Sequence, residues 1–267
     1  MKPFSILAFF LLLFFASCEK DVEVKLPVPP QKLVVSCLIY PQNPLTQVAV
    51  SLSQPIYNAN QSNTYEPVKE ASVIISDGIN SWTLPYDMTT QTYVIDSVKL
   101  KIKTNITYKL SVSSPDGKSV EATTTVPSQN TSFTYAVSIN TYGEYVLHGN
   151  WKDPSGSADY YRSEVFSRSS HTASGWAYMG TSNVSDEGNP GGTLTSTLYF
   201  YSNSDAPEPI YASLLTASPE FYNYFVRRDK IANSGGPFSE PIPMYTNISG
   251  GFGVFAGFNM YVVEVAL

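Results

Sequence analysis

The sequence has few charged side chains, and fewer of them are basic than acidic. Charged residues make up 14% of the 267 residues, whereas an average soluble protein has about 25%. Sixteen Lys and Arg stand against 22 Asp and Glu, which gives a formal net charge of −6. An acidic chain with so few cations cannot neutralise phosphates. Nucleic acid is therefore excluded as a partner.

Cysteine and histidine are also scarce, with two of each. His148 and His171 lie outside any His-Glu-x-x-His or Cys/His cluster, so no zinc site is predicted. Cys37 stands in the β-rich run Leu33 to Ile39 and is predicted to be a buried, inert side chain. If Cys18 carries lipid, as argued next, no internal disulfide is possible.

The N-terminus has the pattern of a secretion signal. A single lysine precedes an apolar run from Phe4 to Phe15, which is shorter than the roughly 20 residues that span a bilayer. Ala16 and Ser17 are the small residues that a lipoprotein signal peptidase requires before the cysteine at which it cuts. We therefore predict a signal peptide over residues 1–17 and lipid attachment at Cys18. The alternative is an ordinary signal peptide with a chance cysteine.

Residues 18–32 are predicted to form an acidic, proline-rich tether. Its three prolines favour extended geometry, which at about 3.1 Å per residue gives a reach of roughly 40 Å. The tether begins with the charged residues Glu19, Lys20, Asp21 and Glu23. This start resembles the export signal that Bacteroidota lipoproteins carry directly after the lipidated cysteine. It predicts a body on the outer face of the outer membrane, with a plain solvated linker as the alternative.

Residues 33–127 show the pattern of short strands joined by tight turns. Ile106 to Val112 alternates between apolar and polar residues, and Ala71 to Ser76 runs into Asp77-Gly78. Asp-Gly is a strong hairpin signal because glycine adopts positive φ freely. Short strands at this spacing, rich in β-branched residues, predict a β-sandwich of immunoglobulin-like type.

A second β domain is predicted over residues 128–267. Trp151 closes one strand and Tyr160-Tyr161 opens the next, which is typical of fibronectin-like sandwiches. A helix is predicted over residues 219–232, where Ser218 is the N-cap and a proline and a glutamate follow in the first turn. The expected fold class is mainly β, with two β-sandwich domains of immunoglobulin or fibronectin type and one helix inserted in the second.

No motif for catalysis stands out from the sequence. Gly251 to Ala256 has the spacing of a dinucleotide fingerprint, but it reads as a strand with no helix to follow. No Gly-x-Ser-x-Gly elbow is present, which excludes an α/β-hydrolase. The candidate carboxylates are predicted to be solvated acids: Asp186, Glu187, Glu208, Glu220 and Glu240. We assign no catalytic residue, no metal ligand and no cofactor, and we do not expect an enzyme.

Binding is better supported than catalysis. Five aromatic residues are candidates to offer flat rings to a glycan or a peptide: Trp176, Tyr178, Tyr199, Tyr201 and Tyr245. Aromatic residues are 13% of the chain, so most rings must instead pack in the core. Separately, Asp96-Ser97-Val98 resembles the site at which Bacteroidota glycosylate exported proteins. It predicts O-glycosylation of Ser97, with a chance match as the alternative.

Several motifs along the chain together resemble one family. They are Cys18-Glu19-Lys20-Asp21, Lys32-Leu33-Val34-Val35, Trp151-Lys152-Asp153-Pro154 with Tyr160-Tyr161, Ser218-Pro219-Glu220-Phe221-Tyr222, Pro237-Phe238-Ser239-Glu240-Pro241, Asn247-Ile248 and Gly251-Phe252-Gly253-Val254-Phe255. The chain resembles the uncharacterised Bacteroidota outer-membrane lipoproteins, of domain-of-unknown-function type, found alongside TonB-dependent receptors. The resemblance implies an accessory role at an outer-membrane transporter and gives no ligand residues.

The expected function is therefore that of a surface-exposed outer-membrane lipoprotein, held in the lipid through acylated Cys18. It would be a non-catalytic accessory or ligand-binding subunit of a TonB-dependent nutrient-uptake complex. The ligand would be a glycan or a peptide. The contact with the transporter is expected from the helix and from the segment Gly250 to Phe258, unless both merely complete the core. The alternatives are a surface adhesin or structural lipoprotein without a transport role and, third, a surface glycan- or peptide-degrading enzyme.

Overall fold

A computed structural model describes residues 29–54, 66–154, 159–169, 172, 175–188, 190–201, 209–234, 240 and 242–267. The elements named below all lie in one compact unit formed by residues 31–54 and 62–267. The predicted signal peptide, Cys18 and the residues of the export signal lie outside the described residues, as do His171 and Glu208.

The described residues form fifteen strands and one helix. The first eight strands are β1 (Leu33–Ile39), β2 (Leu45–Leu52), β3 (Ser72–Ser76), β4 (Ser81–Thr83), β5 (Tyr86–Asp87), β6 (Thr92–Asp96), β7 (Thr107–Ser113) and β8 (Ser119–Thr125). The remaining elements are β9 (Thr134–Ile139), β10 (Tyr145–Lys152), β11 (Tyr160–Arg168), β12 (Trp176–Ser185), β13 (Thr193–Phe200), β14 (Ile210–Ala217), the helix α1 (Pro219–Asn233) and β15 (Phe252–Val265). The prediction of a mainly β fold of sandwich type is confirmed.

The strands form three sheets. The largest has eight strands in the order β12-β11-β14-β15-β1-β2-β6-β5, and two smaller sheets have the orders β4-β3-β7-β8 and β13-β10-β9. Strand β15 pairs with β1 in parallel and with β14 in antiparallel orientation. The last described strand, β15, therefore lies beside the first described strand, β1, in the same sheet.

The close approach of β15 to β1 depends on glycine. Gly253 has φ +111°, a region that side chains with a Cβ rarely adopt. A Cβ at this position would collide with the carbonyl oxygen of Val35 on β1. The glycines that mimic a dinucleotide fingerprint thus serve strand packing, and the prediction that this segment is a strand is confirmed.

Two hydrophobic clusters fill the space between the sheets. The first lies between the β1 side of the large sheet and the four-stranded sheet, and it includes Ile248 and Phe255 from the C-terminal region. The second lies between β11, β14 and the three-stranded sheet, with Trp151 and Tyr161 at its centre. Most residues of the first cluster precede the predicted domain boundary between residues 127 and 128, and those of the second cluster follow it. The eight-stranded sheet, however, contains strands from both sides of this boundary. The division into two domains stays a prediction.

The helix covers part of the opposite face of the large sheet. Ser218 caps it, since its Oγ accepts a hydrogen bond from the backbone N–H of Phe221 at 3.3 Å. Phe221 and Phe225 pack against Val254 and Phe258 of β15. The predicted helix over residues 219–232 is confirmed, with one further residue at its end.

Two further observations bear on the sequence predictions. Cys37 is buried on the inner face of β1, as predicted. Within the described part of the chain, no helix combines the length and the apolar character needed to cross a membrane.

Candidate functional site

A groove runs beside the helix on the open face of the eight-stranded sheet. Its volume is about 720 Å³, within the range of roughly 300 to 1,000 Å³ that is usual for small-molecule sites. Strands β1, β11, β12, β14 and β15 supply its floor, and α1 supplies one wall. Most of the lining is aromatic or aliphatic, and the charged residues in it are Arg162, Glu164 and Arg228.

The alternation of β11 places the charged residues in the groove. Successive side chains of a strand point to opposite faces. Tyr161 and Val165 enter the core between the sheets, so Arg162, Glu164 and Phe166 face the groove. Both faces of β11 are covered, which explains why a charged pair lies within a largely buried strand.

Arg162 is the centre of a buried ionic network. Its side chain is 3% exposed, and its Nε donates a hydrogen bond to Glu164 Oε1 at 2.7 Å. Its Nη1 donates to Asp229 Oδ2 of α1 at 2.7 Å and to Asn183 Oδ1 of β12 at 2.9 Å. One arginine thus links two strands and the helix.

The two carboxylates of this network are held differently. Burial raises the pKa of Glu164, and the hydrogen bond and charge of Arg162 do not fully offset it. Burial also acts to raise the pKa of Asp229, but the hydrogen bonds from Arg162 and Asn183 outweigh it, so the pKa of Asp229 is lowered. Of these two acids, Glu164 therefore takes up a proton more readily.

A row of polar residues crosses the floor of the groove. Glu164 pairs with Thr181 on β12 and with Ser213 on β14. Directly paired residues share one face of a sheet. Ser213 is fully buried, and its Oγ has no hydrogen-bond partner within the region that the structure describes. Ser213 does not line the groove, so we call only Thr181 and Glu164 the polar row. It offers hydroxyl and carboxylate groups to a ligand.

Aromatic rings form the outer end of the groove. Phe166 lies 5.3 Å from Trp176, 5.7 Å from Tyr178 and 5.8 Å from Tyr211, measured between ring centroids. We call these four residues the aromatic cluster. Tyr178 is 61% exposed, while the guanidinium of Arg168 stacks on Trp176 at 4.1 Å. Tyr178 is therefore the ring of the cluster that is most open to a ligand.

On the helix side of the groove, two arginine side chains stack on the ring of Phe225. The guanidinium carbons of Arg162 and Arg228 lie 5.0 Å and 4.2 Å from the centroid of the Phe225 ring. Arg228 also reaches Asp229 Oδ1 at 3.3 Å. Two guanidinium groups and two carboxylates thus balance one another along this wall.

The structure brings together part of the set predicted from sequence. Trp176 and Tyr178 lie in the groove, whereas Tyr199, Tyr201 and Tyr245 do not line it. Sequence reasoning missed the ionic network. The available signal was the pattern Arg162-Ser163-Glu164, in which both charges fall on one face of a strand whose other face is apolar.

The remaining predicted residues lie elsewhere. Ser97 is in the turn after β6, half-buried, and its backbone N–H donates to the carbonyl oxygen of Pro44 at 3.0 Å. His148 is an exposed residue of β10. Glu220 accepts a hydrogen bond from Thr124 Oγ1 at 3.0 Å.

Asp186 corrects one prediction, because it is not a solvated acid. It is 4% exposed. Its carboxylate meets those of Asp153 and Asp159, with one oxygen of each lying within 4.8 Å of the others. We call these three residues the acidic cluster. No local pattern predicted this cluster, because Asp186 is far from the other two aspartates along the chain.

Comparison with known proteins finds one matching protein family. A sequence profile described as "Domain of unknown function (DUF4249)" matches residues 19–261. No curated protein sequence matches the chain.

Two solved structures are similar over part of the chain. A DUF4785 family protein from Legionella pneumophila has 12% sequence identity and a TM-score of 0.25, and the match covers 69% of this chain and 52% of that one. Chitinase ChiA74 from Bacillus thuringiensis has 17% identity and a TM-score of 0.21, with 68% of this chain and 28% of that chain covered. The chain thus spans about half the length of the first protein and less than a third of the second. At such TM-scores neither similarity bears on fold or function.

Proposed function

The chain belongs to the DUF4249 family, a domain of unknown function, and from that premise we propose that it is a non-catalytic ligand-binding subunit of an outer-membrane uptake system. In this proposal Cys18 carries the lipid anchor and the body faces the cell exterior. The groove beside α1 binds the ligand, and a TonB-dependent transporter receives it.

The observation that carries the proposal is the groove itself. It combines a concave apolar surface with a few convergent polar groups, which is the usual composition of a small-molecule site. The aromatic cluster lies at one end, and Thr181 and Glu164 of the polar row lie on the floor. Fixed polar groups of this kind orient a ligand, and rings give it apolar contact area.

The charge balance of the groove favours a neutral ligand. Arg162 and Arg228 are matched by Glu164 and Asp229. An added ion would have to compete with these existing pairs, whereas hydroxyl groups can share their hydrogen-bonding capacity. We therefore propose a short neutral glycan, with one sugar ring on Tyr178 and its hydroxyls on the polar row.

The anchor and the partner rest on sequence. Ala16-Ser17-Cys18 supports lipidation, and the acidic residues that follow support export to the surface. A tether of roughly 40 Å confines the body near the membrane. Such confinement raises its effective concentration beside a membrane partner, so that a modest interface suffices.

A binding experiment tests the groove. The purified protein is screened against neutral oligosaccharides and against peptides, and the affinity for the best ligand is measured by calorimetry. Replacing Tyr178→Ala should weaken binding about tenfold through the loss of ring contact. Tyr199→Ala is the matched control, because Tyr199 is 57% exposed on β13 and lies outside the groove. Equal losses in both variants, or a preference for peptides, would contradict the glycan proposal, and turnover of the ligand would indicate an enzyme.

A second experiment tests the partner. The protein is purified from membranes solubilised in mild detergent, and the proteins that accompany it are identified. We expect a TonB-dependent transporter, and charge reversal at Arg227 and Lys230 on the outer side of α1 should reduce its recovery. If no transporter accompanies the protein and growth on the ligand survives deletion of the gene, the role is that of an adhesin or a structural lipoprotein.

A further inference from the structure

We propose that a hollow on the open face of the eight-stranded sheet continues the groove, so that the whole site takes a linear neutral oligosaccharide. The hollow has a volume of about 350 Å³ and is lined by residues of β1, β2 and β6 and of the loop between β1 and β2. Leu38 and Tyr40 line both the hollow and the groove. The inference rests on the proposed function, because it extends the same ligand beyond the groove.

Strand alternation places the hollow on the same side of the sheet as the groove. Cys37 of β1 and Val48 of β2 belong to the hydrophobic cluster on the inner face. Successive side chains of a strand point to opposite faces, so Ser36, Leu38 and Gln47 point away from that cluster. Leu38 packs beneath α1 and lines the groove. The hollow and the groove therefore lie on one face of the sheet.

The two cavities together extend across most of the large sheet. The groove is lined by β12, β11, β14, β15 and β1, and the hollow by β1, β2 and β6. These seven strands are consecutive in the order of the sheet. Neighbouring strands lie about 4.8 Å apart, so the path along the sheet is roughly 25 to 30 Å. A single sugar would contact only part of such a site, whereas a chain of several sugars can contact all of it.

The ring of Tyr40 lies where the two cavities meet. It stacks on Phe258 with ring centroids 4.4 Å apart. Phe258 in turn lies 5.0 Å from the ring of Phe221 on α1. These contacts fix the half-buried ring of Tyr40. A ring that is already fixed loses little conformational entropy when a ligand packs on it, so Tyr40 is suited to support the sugar that passes from the groove to the hollow.

The lining of the hollow favours an uncharged ligand. No Asp, Glu, Lys, Arg or His is among the described residues that line it. Its polar side chains include Ser36, Asn43, Gln47 and Thr92. Side-chain amides and hydroxyls both donate and accept hydrogen bonds, as the hydroxyls of a sugar do. A charged group in the hollow would lose water without gaining an opposite charge.

Ser36 and Gln47 are the groups in the hollow that are open to a ligand. Both are exposed, and neither side chain forms a hydrogen bond with any residue that the structure describes. Asn43 is instead held by the chain, because its Oδ1 accepts a hydrogen bond from the backbone N–H of Leu45 at 3.2 Å. The hydroxyls of a bound sugar would therefore meet Ser36 and Gln47 first.

The test compares a disaccharide with a hexasaccharide of the same glycan by titration calorimetry on the full-length protein. The pairs are maltose and maltohexaose, cellobiose and cellohexaose, laminaribiose and laminarihexaose, and mannobiose and mannohexaose. For the glycan that binds, the hexasaccharide should bind at least about tenfold more tightly, because it adds contacts in the hollow to those in the groove. Tyr178→Ala should weaken the binding of both lengths, because Tyr178 lines only the groove.

Two variants separate the hollow from the groove. Ala49→Phe places a ring in the hollow, which Ala49 lines, and should lower the affinity for the hexasaccharide to about that for the disaccharide. Ala136→Phe is the matched control, because Ala136 is exposed on β9 and lines neither cavity, and it should keep the full gain. Gln47→Ala should weaken the hexasaccharide about two- to tenfold through the lost hydrogen bonds and leave the disaccharide unchanged.

The outcomes distinguish this inference from the proposed function. If the disaccharide binds and depends on Tyr178, but the hexasaccharide binds no more tightly, the hollow is not a subsite and only the inference is overturned. The same holds if Ala49→Phe keeps the full gain. If none of the four glycans binds in either length, the proposed function is wrong and the inference is wrong with it.

Discussion

Replacing Arg162 by methionine should destabilise the protein strongly, because methionine keeps the apolar stem but removes the charge that two carboxylates share. The side chain of Arg162 is 3% exposed, whereas those of its partners Glu164 and Asp229 are 12% and 27% exposed. Removing one member of a buried ionic network typically costs about 3 to 5 kcal/mol, since the remaining charges are left without compensation. Asp229 has partial access to water, so we expect about 3 kcal/mol, or a fall in Tm of roughly 6 to 12 °C.

The pH dependence of this loss has a defined sign. In the wild type the pKa of Asp229 is lowered, so its contribution to stability is present above the unfolded pKa of about 3.9 and is lost as the pH falls through the folded value. The pKa of Glu164 is raised, so ionised Glu164 opposes folding, and this opposition is relieved as the pH falls. Without Arg162 the pKa of Asp229 should no longer be lowered as far, and that of Glu164 should rise further. The deficit of the variant should therefore be full at neutral pH and should shrink as the solution is acidified.

Thermal unfolding followed by circular dichroism, repeated across this pH range, measures the effect. Arg228→Met is the matched control, because Arg228 contacts the same Asp229 at 3.3 Å but is 45% exposed. An exposed pair of this kind contributes about 0 to 1 kcal/mol. Adding Glu164→Gln to Arg162→Met should restore part of the loss. If Arg162→Met is as stable as the wild type at neutral pH, or loses no more than Arg228→Met, the reasoning about the buried network is wrong.

Three further predictions concern other parts of the chain. Gly253→Ala should lower the free energy of unfolding by about 3 kcal/mol, because φ is positive there and the new Cβ collides with β1. Gly78→Ala should lower it by only about 1 to 2 kcal/mol, because this turn also has positive φ (+86°) but is open. Chemical denaturation measures both values. Burial raises the pKa of the Cys37 thiol, so in a Cys18→Ser variant a thiol reagent near pH 8 should label the chain only after unfolding; labelling of the native protein would contradict the burial. Cys18→Ala should abolish incorporation of labelled fatty acid, and undiminished incorporation would show that the lipid is attached elsewhere.

The strands that the sequence predicted most clearly were those with one more exposed face. β1 and β7 alternate clearly between buried and more exposed residues, so period-two patterning predicted them. The Asp77-Gly78 turn was predicted for a local reason, the positive φ of glycine, and Gly78 has φ +86°.

The strands that sequence reasoning missed lack this alternation. β14 is buried along nearly its whole length because both of its faces are covered, and such a strand reads as a continuous apolar run. β12 is half-buried along most of its length, and its pairing with β11 shifts register at Val165/Phe166. Neither pattern distinguishes a strand from other buried segments.

The site depended still more on distant contacts. Trp176 and Tyr178 were among the rings considered for a ligand, but nothing local distinguished them from Tyr199 or Tyr201. Arg162 and Asp229 are far apart along the chain, and only the docking of α1 on the sheet brings them to 2.7 Å. The acidic cluster likewise assembles from the ends of three different strands.

The sequence by itself therefore determined the features that depend on local physics: the mainly β class, the cap and length of α1, the tight turns and the burial of Cys37. Each of these follows from the conformational preferences or the alternation of neighbouring residues. Only the tertiary structure decided that β15 pairs with β1, that Arg162 is held by two carboxylates, and that three aspartates converge. These features depend on which distant segments meet, and pairing energies between distant segments leave no periodic trace in a single sequence.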